Sequence, residues 1–475
     1  MNIIALIIKF NFVKMRRTYI LFLVLLILGG NAFSQQILSF SKNERVVFAG
    51  NSITEHGYYE SYIWLYYMTH FPEMRIDVFN GGVGGDVAKQ IYARLDGDIL
   101  PNKPTVLAVT FGMNDSRYFE YKKPGAAEQV TKSAVEESYN SFLLIQEKLK
   151  DLPDVKKIII TTSPYDETMK NDQNYFPGKS VTIEKIAKFQ EEAAKANNWG
   201  FVDFLHPMTE INLREQKIKP EFTLTGPDRI HPGNSGHLVM AYLFLKAQGL
   251  SGKPVATIKI DASKKKVIQS ENCSITKIIS THKGISFDYL AKSLPFPIDT
   301  VPRVEWNPHK QIEALAVIPF TKEFNMELMV VSGLRGEKYR VSIDSTFIGN
   351  WTTTDLAKGI NLATIKSTPQ YMQASEIMDL NQKRHDMEFQ HRSYYWVQYD
   401  FLDAKGLLFN DSDAVRDTIN KYAPTNGWLN AKKAAYEIIR VKSTKDEFLK
   451  KYDGLVNEIY QKNAPVKRKI SIELI

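Results

Sequence analysis

Two short motifs carry side chains that can together perform nucleophilic catalysis. Ser52 stands in the sequence Gly50-Asn51-Ser52, and Asp228 and His231 stand three positions apart much later in the chain. The Asp-x-x-His spacing lets one turn hold the carboxylate against one ring nitrogen and leaves the other nitrogen facing a serine. A serine on a strand-to-helix turn can present its hydroxyl to such a histidine, so these residue types can support nucleophilic catalysis.

Two further segments contain groups that can stabilise a developing oxyanion. Residues 80–86, NGGVGGD, include four glycines in five positions, so the backbone can approach a ligand closely and offer N–H groups to negative charge. In residues 112–115, GMND, the amide of Asn114 can donate to the same oxygen. The glycine-rich segment is not predicted to bind a dinucleotide, because that fingerprint follows the first strand of its sheet.

The spacing of apolar runs predicts the elements that bring these motifs together. Short β-branched runs alternate with helical stretches in the first half of the chain, which indicates a parallel sheet with helices on both faces. Such sheets bind ligands beyond the carboxyl ends of their strands, where three of the motifs fall. The predicted strands are 45–49, 75–79, 105–111, 157–162 and 200–204, and the predicted helices include 58–69, 134–150 and 230–248.

The pattern changes after residue 252. Residues 253–368 contain strand-like runs without intervening helices, which predicts a small antiparallel β-rich module. Residues 369–475 return to a helical pattern, and whether these helices pack on the first half is not decided by the sequence. The later strands are predicted at 255–261, 266–269, 285–289, 312–320, 326–331 and 339–343, and the later helices at 370–401, 414–422, 429–439 and 445–461.

Residues 1–34 have the pattern of a secretory signal peptide. Lys14, Arg16 and Arg17 precede an apolar run at 19–28, and the small residues at 32–34 predict cleavage after Ser34. The run is about half the 20 residues that cross a bilayer, so a stable membrane anchor is not expected. The mature chain, 35–475, is predicted to be extracytoplasmic, either periplasmic or secreted, and either Met1 or Met15 can be the start.

Composition excludes several classes of protein. A single cysteine, Cys273, among 475 residues rules out a disulfide scaffold or a cysteine-based zinc site. His385 and His391 are six positions apart, which does not place both on one helical face, so no metal site is predicted there. The net charge of +8 divides into +4 for residues 1–34, −3 for 35–252 and +7 for 253–475. Nucleic-acid binding is therefore not expected, and the basic later half instead suggests contact with an acidic glycan or surface.

The four motifs, in this order, resemble those of the SGNH hydrolases, the GDSL-type esterases and lipases, over about residues 46–249. The resemblance implies a flavodoxin-like, three-layer α/β/α sandwich with a five-stranded parallel sheet for residues 35–252. It implies that Ser52 is the nucleophile and that His231 and Asp228 complete the triad. It also implies an oxyanion hole formed by the Ser52 and Gly85 N–H groups and the Asn114 amide, with no metal or organic cofactor.

One position departs from the family pattern, because Asn51 stands where the family has aspartate. That aspartate is not the triad acid, so catalysis is still expected. Further residues follow the motifs and are candidates to line the substrate pocket: Thr54, Glu55, Arg117 and Tyr118.

The resemblance and the predicted location suggest a secreted serine esterase that acts through an acyl-serine. The expected substrate is an O-acetylated carbohydrate or another small ester. A lipase or lysophospholipase uses the same triad and remains an alternative. A glycan-binding protein on an inactive esterase scaffold is an alternative of another class, and the oligomeric state is left open.

Overall fold

The computed structural model describes residues 37–171, 173–304 and 306–475. The predicted signal segment and its cleavage site lie outside the described residues. Within the described ranges, the helices are all too short or too polar to cross a bilayer.

A five-stranded parallel sheet forms the centre of the first half, as predicted. Its strand order is β2-β1-β3-β4-β5, and β1 and β3, which are buried along almost their whole length, lie inside it. Continuous apolar strands of this kind are typical of parallel sheets that are covered on both faces. The strands are β1 (Arg45–Gly50), β2 (Asp77–Gly82), β3 (Val106–Phe111), β4 (Lys156–Thr161) and β5 (Gly200–Val202).

Helices cover both faces of this sheet and produce the three-layer sandwich. Side chains alternate across β1, so Val46 and Phe48 pack with one helical layer and Val47 and Ala49 with the other. The helices are α1 (Ser52–Glu55), α2 (Tyr58–His70), α3 (Ala88–Arg94), α4 (Ala127–Lys150), α5 (Lys179–Ala196), α6 (Leu205–Gln216) and α7 (Asn234–Ala247).

The β-rich module consists of two sheets, ordered β13-β10-β6-β7 and β12-β11-β14-β9-β8. The prediction of a purely antiparallel module is wrong, because β6 and β10 pair in parallel. A short hairpin turn forces two strands to pair antiparallel, but β6 and β10 are joined by a long connection, which allows parallel pairing. The strands are β6 (Ala256–Asp261), β7 (Lys266–Glu271), β8 (Cys273–Thr281), β9 (Gly284–Ala291), β10 (Glu327–Ser332), β11 (Lys338–Ile343), β12 (Thr346–Thr352), β13 (Ile360–Asn361) and β14 (Arg468–Leu474).

The strand predicted at 312–320 is also wrong, because this segment is helical. A 3-10 helix spans Gln311–Ala316, and α8 (Phe320–Phe324) follows it. Ala314 and Ile318, four positions apart, are buried in the core that includes α7. A helical turn that joins the Ile318 N–H to the Ala314 carbonyl at 3.0 Å brings both side chains into this core, although the short apolar run also fits a strand.

The last part of the chain is helical as predicted but ends in a strand that the sequence analysis did not foresee. After α9 (Thr353–Lys358) come α10 (Pro369–Trp396), α11 (Asp413–Tyr422), α12 (Gly427–Arg440) and α13 (Lys442–Lys462). Strand β14 then enters the β-rich module between β9 and β11. The helices are thus connected at both ends to the same module.

The C-terminal helices pack directly on the parallel-sheet half, which settles the question that the sequence left open. The buried guanidinium of Arg392, on α10, donates to the Gly82 carbonyl at 2.9 Å and to Oδ1 of Asp98 at 2.7 Å. The amide of Asn381 donates to Oγ of Ser61 at 2.9 Å. Helix α10 therefore lies against the end of β2 and against α2.

Candidate active site

Ser52, His231 and Asp228 form a continuous hydrogen-bonded chain at the carboxyl edge of the sheet. Oγ of Ser52 lies 2.8 Å from Nε2 of His231, and Nδ1 of His231 lies 2.5 Å from Oδ2 of Asp228. The side chains of His231 and Asp228 are 23% and 24% exposed, so a substrate can reach them from solvent. This geometry allows the imidazole to take a proton from Ser52 while the carboxylate holds its other nitrogen.

The turn that carries the histidine is held by its own acid. Oδ1 of Asp228 accepts hydrogen bonds from the backbone N–H groups of Ile230 and His231, both at 3.0 Å. Burial raises the pKa of Asp228, but the hydrogen bonds and the charge of His231 outweigh it, so the pKa lies below its ordinary value. Asp228 is therefore ionised at neutral pH and can orient the imidazole.

Arg229 fixes this turn to the body of the domain. It adopts a left-handed conformation with φ 67°, and its side chain is buried. The guanidinium donates to the carbonyl oxygens of Asp166 at 2.7 Å and Gln173 at 2.9 Å. A positive φ is unfavourable for arginine, and the hydrogen bonds of its side chain hold the residue in this conformation.

Asn51, the departure from the family pattern, has a local structural role. Its side-chain oxygen accepts from the Ile53 N–H at 3.0 Å and caps α1. Asparagine caps helices as well as aspartate does, so the substitution preserves the turn that presents Ser52. As the first residue of α1, Ser52 also has a backbone N–H without an intrahelical acceptor.

Asn114 is held with its amide oriented by two neighbours. Nδ2 donates to the Asp86 carbonyl at 2.9 Å, and Oδ1 accepts from the Tyr118 hydroxyl at 2.6 Å. An amide nitrogen has two hydrogens, so one is left for a substrate oxygen. Tyr118, a pocket candidate from the sequence, therefore orients the amide that is predicted to be an oxyanion donor.

The glycine-rich segment lies close to Ser52 through Gly84 and to Asn114 through the Asp86 carbonyl. A Cβ on Gly84 would lie 2.6 Å from Oε2 of Glu55 and 3.8 Å from Cβ of Ser52, so this backbone runs close to both. Gly85 has φ 91°, a conformation that favours glycine, and a Cβ there would meet nothing within 4 Å. Backbone conformation rather than space therefore requires glycine at residue 85.

Lys179 supports the loop that carries Asn114, and the sequence analysis missed it. Its buried ammonium donates to the carbonyls of Met113 and Arg117, each at 2.6 Å, and to Oγ of Ser116 at 2.5 Å. It also lies 3.8 Å from the centre of the Tyr118 ring. Burial holds the pKa of Lys179 well below its ordinary range. No local motif marks this lysine, because its partners lie more than 60 positions earlier in the chain.

The other three pocket candidates have different positions. Thr54 is fully buried and bonded to the Tyr59 hydroxyl at 3.0 Å, so it belongs to the core rather than to a pocket lining. Arg117 points toward Glu137, with Nη2 and Oε2 2.8 Å apart. Glu55 is buried, and its carboxylate lies against Gly84 rather than in solvent.

Lys432, on α12, provides the countercharge for Glu55. Its Nζ lies 2.5 Å from Oε1 of Glu55, and both side chains are almost completely buried. A buried carboxylate without a partner would be costly, so the pair depends on the helical region being in place. The sequence analysis missed Lys432, because nothing in the sequence connects residues so far apart.

Aromatic rings from outside the catalytic motifs lie beside His231. The ring centre of Trp306 is 5.4 Å from that of His231 and 5.6 Å from that of His56. Phe389, on α10, lies 6.4 Å from His56. Burial and the nearby His231 lower the pKa of His56 to about 3, so this imidazole is neutral. Within the described ranges, this site included, no three His, Cys, Asp or Glu side chains converge in the way a metal ion needs.

Comparison with known proteins agrees with this geometry. Residues 48–239 match the model of the GDSL-like lipase/acylhydrolase family, and residues 375–464 match that of the diltiazem deacetylase C-terminal helical domain. The structure of a gut microbial diltiazem-metabolizing enzyme is 46% identical, covers 93% of this chain and all of its own, and superposes with a TM-score of 0.91. An acetylxylan esterase from Geobacillus stearothermophilus is 25% identical over 228 residues, which are 45% of this chain and 97% of that protein.

The fold and the site define an α/β/α hydrolase of the esterase class. The chain belongs to the GDSL-like lipase/acylhydrolase family, the SGNH hydrolases, and it is a carboxylic ester hydrolase.

Proposed function

We propose that the protein is an extracytoplasmic deacetylase that removes acetyl groups from O-acetylated carbohydrates. The observation that carries the proposal is the hydrogen-bonded chain from Ser52 through His231 to Asp228, next to the donors of Asn114 and the glycine-rich segment. Preference for an acetyl group is supported by the acetylxylan esterase relative and by the match to a diltiazem deacetylase domain. The carbohydrate is supported by the first of these relatives and by the predicted signal peptide.

The proposed reaction begins when Oγ of Ser52 attacks the ester carbonyl and Nε2 of His231 takes its proton. Negative charge then develops on the former carbonyl oxygen, and the N–H groups of Ser52 and Gly85 and the Asn114 amide stabilise it. When the C–O bond to the alcohol breaks, His231 gives its proton to the leaving oxygen and an acetyl-serine remains. Water, activated by the same imidazole, releases acetate and restores Ser52.

Acetate release from a panel of acetylated polysaccharides and xylo-oligosaccharides tests the carbohydrate assignment. We expect turnover of at least one of these substrates by the full mature chain and none by the Ser52→Ala variant. Glycan binding by both forms without acetate release would instead support the non-catalytic alternative.

Aryl esters of increasing acyl length test the lipase alternative. For a deacetylase, kcat/KM should be highest for the acetyl ester and fall steadily toward the octanoyl ester. Activity that rises with acyl length would favour a lipase or lysophospholipase.

The relative with 46% identity favours a second candidate function, deacetylation of diltiazem itself. Acetate release from diltiazem can be measured in parallel with release from the acetylated glycans. A kcat/KM for diltiazem far above that for every glycan would make this the principal activity.

The extracytoplasmic location is tested separately. We expect the N-terminus of the protein purified from its native host envelope or medium to be Gln35. A chain that retains residues 1–34 in the cytoplasm would contradict this part of the proposal.

A further inference from the structure

Three rings beside the triad form a surface that we call the aromatic wall, consisting of Trp306, His56 and Phe389. Trp306 is 43% exposed and Phe389 is 38% exposed, although both are large apolar side chains. His56 lies between them, with its ring centre 5.6 Å from that of Trp306 and 6.4 Å from that of Phe389. The three rings come from separate parts of the chain and meet only in the folded protein.

Two members of the aromatic wall, Trp306 and His56, lie next to the ring that must meet the alcohol part of an ester. The proposed mechanism requires Nε2 of His231 to donate a proton to the leaving oxygen, so the alcohol must lie next to this ring. Trp306 packs edge-on against His231, with the ring centres 5.4 Å apart and the planes at 76°. A group attached to the leaving oxygen therefore comes within reach of Trp306.

The backbone next to Trp306 and the helix that carries Phe389 are both anchored to the parallel-sheet half before any substrate binds. Asn307, which follows Trp306, is fully buried and donates to the His231 carbonyl at 3.2 Å. On α10, Nε2 of His385 lies 2.7 Å from the carbonyl oxygen of His56, which fixes the helix that carries Phe389. A surface ordered in advance loses little conformational entropy when a ligand binds to it.

We propose that the aromatic wall is the subsite for the alcohol part of the ester and that it selects acetates in which the acetylated oxygen is carried by, or next to, a ring with an apolar face. Aromatic side chains stack on such rings, whether these are planar or are the C–H face of a sugar. The inference rests on the proposed function and adds to it the class of alcohol that is preferred.

The subsite also gives the appended regions a role in catalysis. Trp306 and Phe389 both lie beyond residue 252, so the parallel-sheet half alone lacks two of the three rings. Only His56 comes from that half. The β-rich module and the helices thus determine which esters fit a site whose reacting groups come from elsewhere.

The test compares benzyl acetate with ethyl acetate, because their leaving alcohols differ little in acidity but only one carries a ring. For the full-length protein, Trp306→Ala and Phe389→Ala should each lower kcat/KM for benzyl acetate about three- to tenfold. The value for ethyl acetate should stay within about twofold of the wild type. An acetylated methyl xyloside should behave like benzyl acetate.

Two kinds of control separate a loss of stacking from a loss of structure. Trp306→Phe keeps an aromatic face and should restore most of the preference, even if the alanine variant folds poorly. Phe347, on the edge strand β12 of the β-rich module, is 50% exposed and its ring lies against Arg340, so Phe347→Ala should leave both substrates unchanged. Equal losses for the two esters, or no loss for either, in variants that keep the wild-type melting temperature would overturn the inference while leaving the esterase function intact. A wild-type protein that hydrolyses neither ester would contradict the proposed function itself.

Discussion

The Nζ of Lys432 lies 2.5 Å from Oε1 of Glu55, which joins the C-terminal helices to a residue three positions after Ser52. The other carboxylate oxygen of Glu55 faces Gly84, next to the residue whose N–H is the predicted oxyanion donor. The helical region therefore contacts, through Glu55, both the segment that follows Ser52 and the glycine-rich segment. This contact makes the stability of the active site depend on a segment that is distant in sequence.

The Lys432→Met variant should lose roughly 3 to 5 kcal/mol of unfolding free energy, because it leaves the Glu55 charge buried and unpaired. Urea denaturation of the full-length protein measures the change. The double variant Glu55→Gln/Lys432→Met should recover much of the loss, since neither charge remains. If the single and double variants were equally unstable, the ion pair would not be the cause.

The Ser52→Ala variant should lower kcat on an aryl acetate by roughly four orders of magnitude or more, because no other group can form the acyl intermediate. Its melting temperature should match that of the wild type, since Ser52 is only half-buried and its Oγ bonds only to His231. Full residual turnover would refute the assignment of the nucleophile.

The Asn114→Ala variant should lower kcat about 100- to 1000-fold with a smaller change in KM, because its amide is expected to act mainly in the transition state. Tyr118→Phe removes only the hydrogen bond that orients this amide, so a loss of about tenfold or less is expected. Steady-state kinetics on one aryl acetate compares the two variants. A larger defect in Tyr118→Phe than in Asn114→Ala would contradict these roles.

The stability of the junction between the β-rich module and α10 should depend on pH through Glu327. Burial raises the pKa of Glu327 to about 7, although hydrogen bonds from Tyr289 and Gln370 act in the opposite direction. Between the ordinary value of 4.5 and about 7, the folded state therefore keeps a proton that the unfolded state has released. The unfolding free energy should fall as the pH rises through this window and change no further from this cause above it.

The Glu327→Gln variant isolates this effect, because its amide oxygen can still accept from Tyr289 and Gln370. Relative to this variant, the wild type should lose roughly 3 kcal/mol between pH 4 and pH 8. Denaturation at both pH values measures the difference. A constant difference across the range would show that the pKa of Glu327 is the same in the folded and unfolded states, which would contradict the effect of burial.

The sequence alone was sufficient to predict the parallel sheet and to propose the groups that react. The strands are continuous apolar runs, and the acid and histidine lie three positions apart in one turn, so both depend on local order in the chain. The positions of the helices after residue 369 were predictable for the same reason. The structure of short apolar runs such as 312–320 could not be predicted, because such runs fit a strand or a helix equally well until their packing partners are known.

Only the tertiary structure decided what surrounds the reacting groups. Lys432 reaches Glu55 across 377 positions, and β14 enters a sheet whose other members precede it by more than 100. Trp306 and Phe389 become neighbours of His56 because α10 and the loop before Asn307 pack on the parallel-sheet half. Such contacts depend on burial and shape complementarity between distant segments. They cannot be predicted from the periodicity or the spacing of residues along the chain.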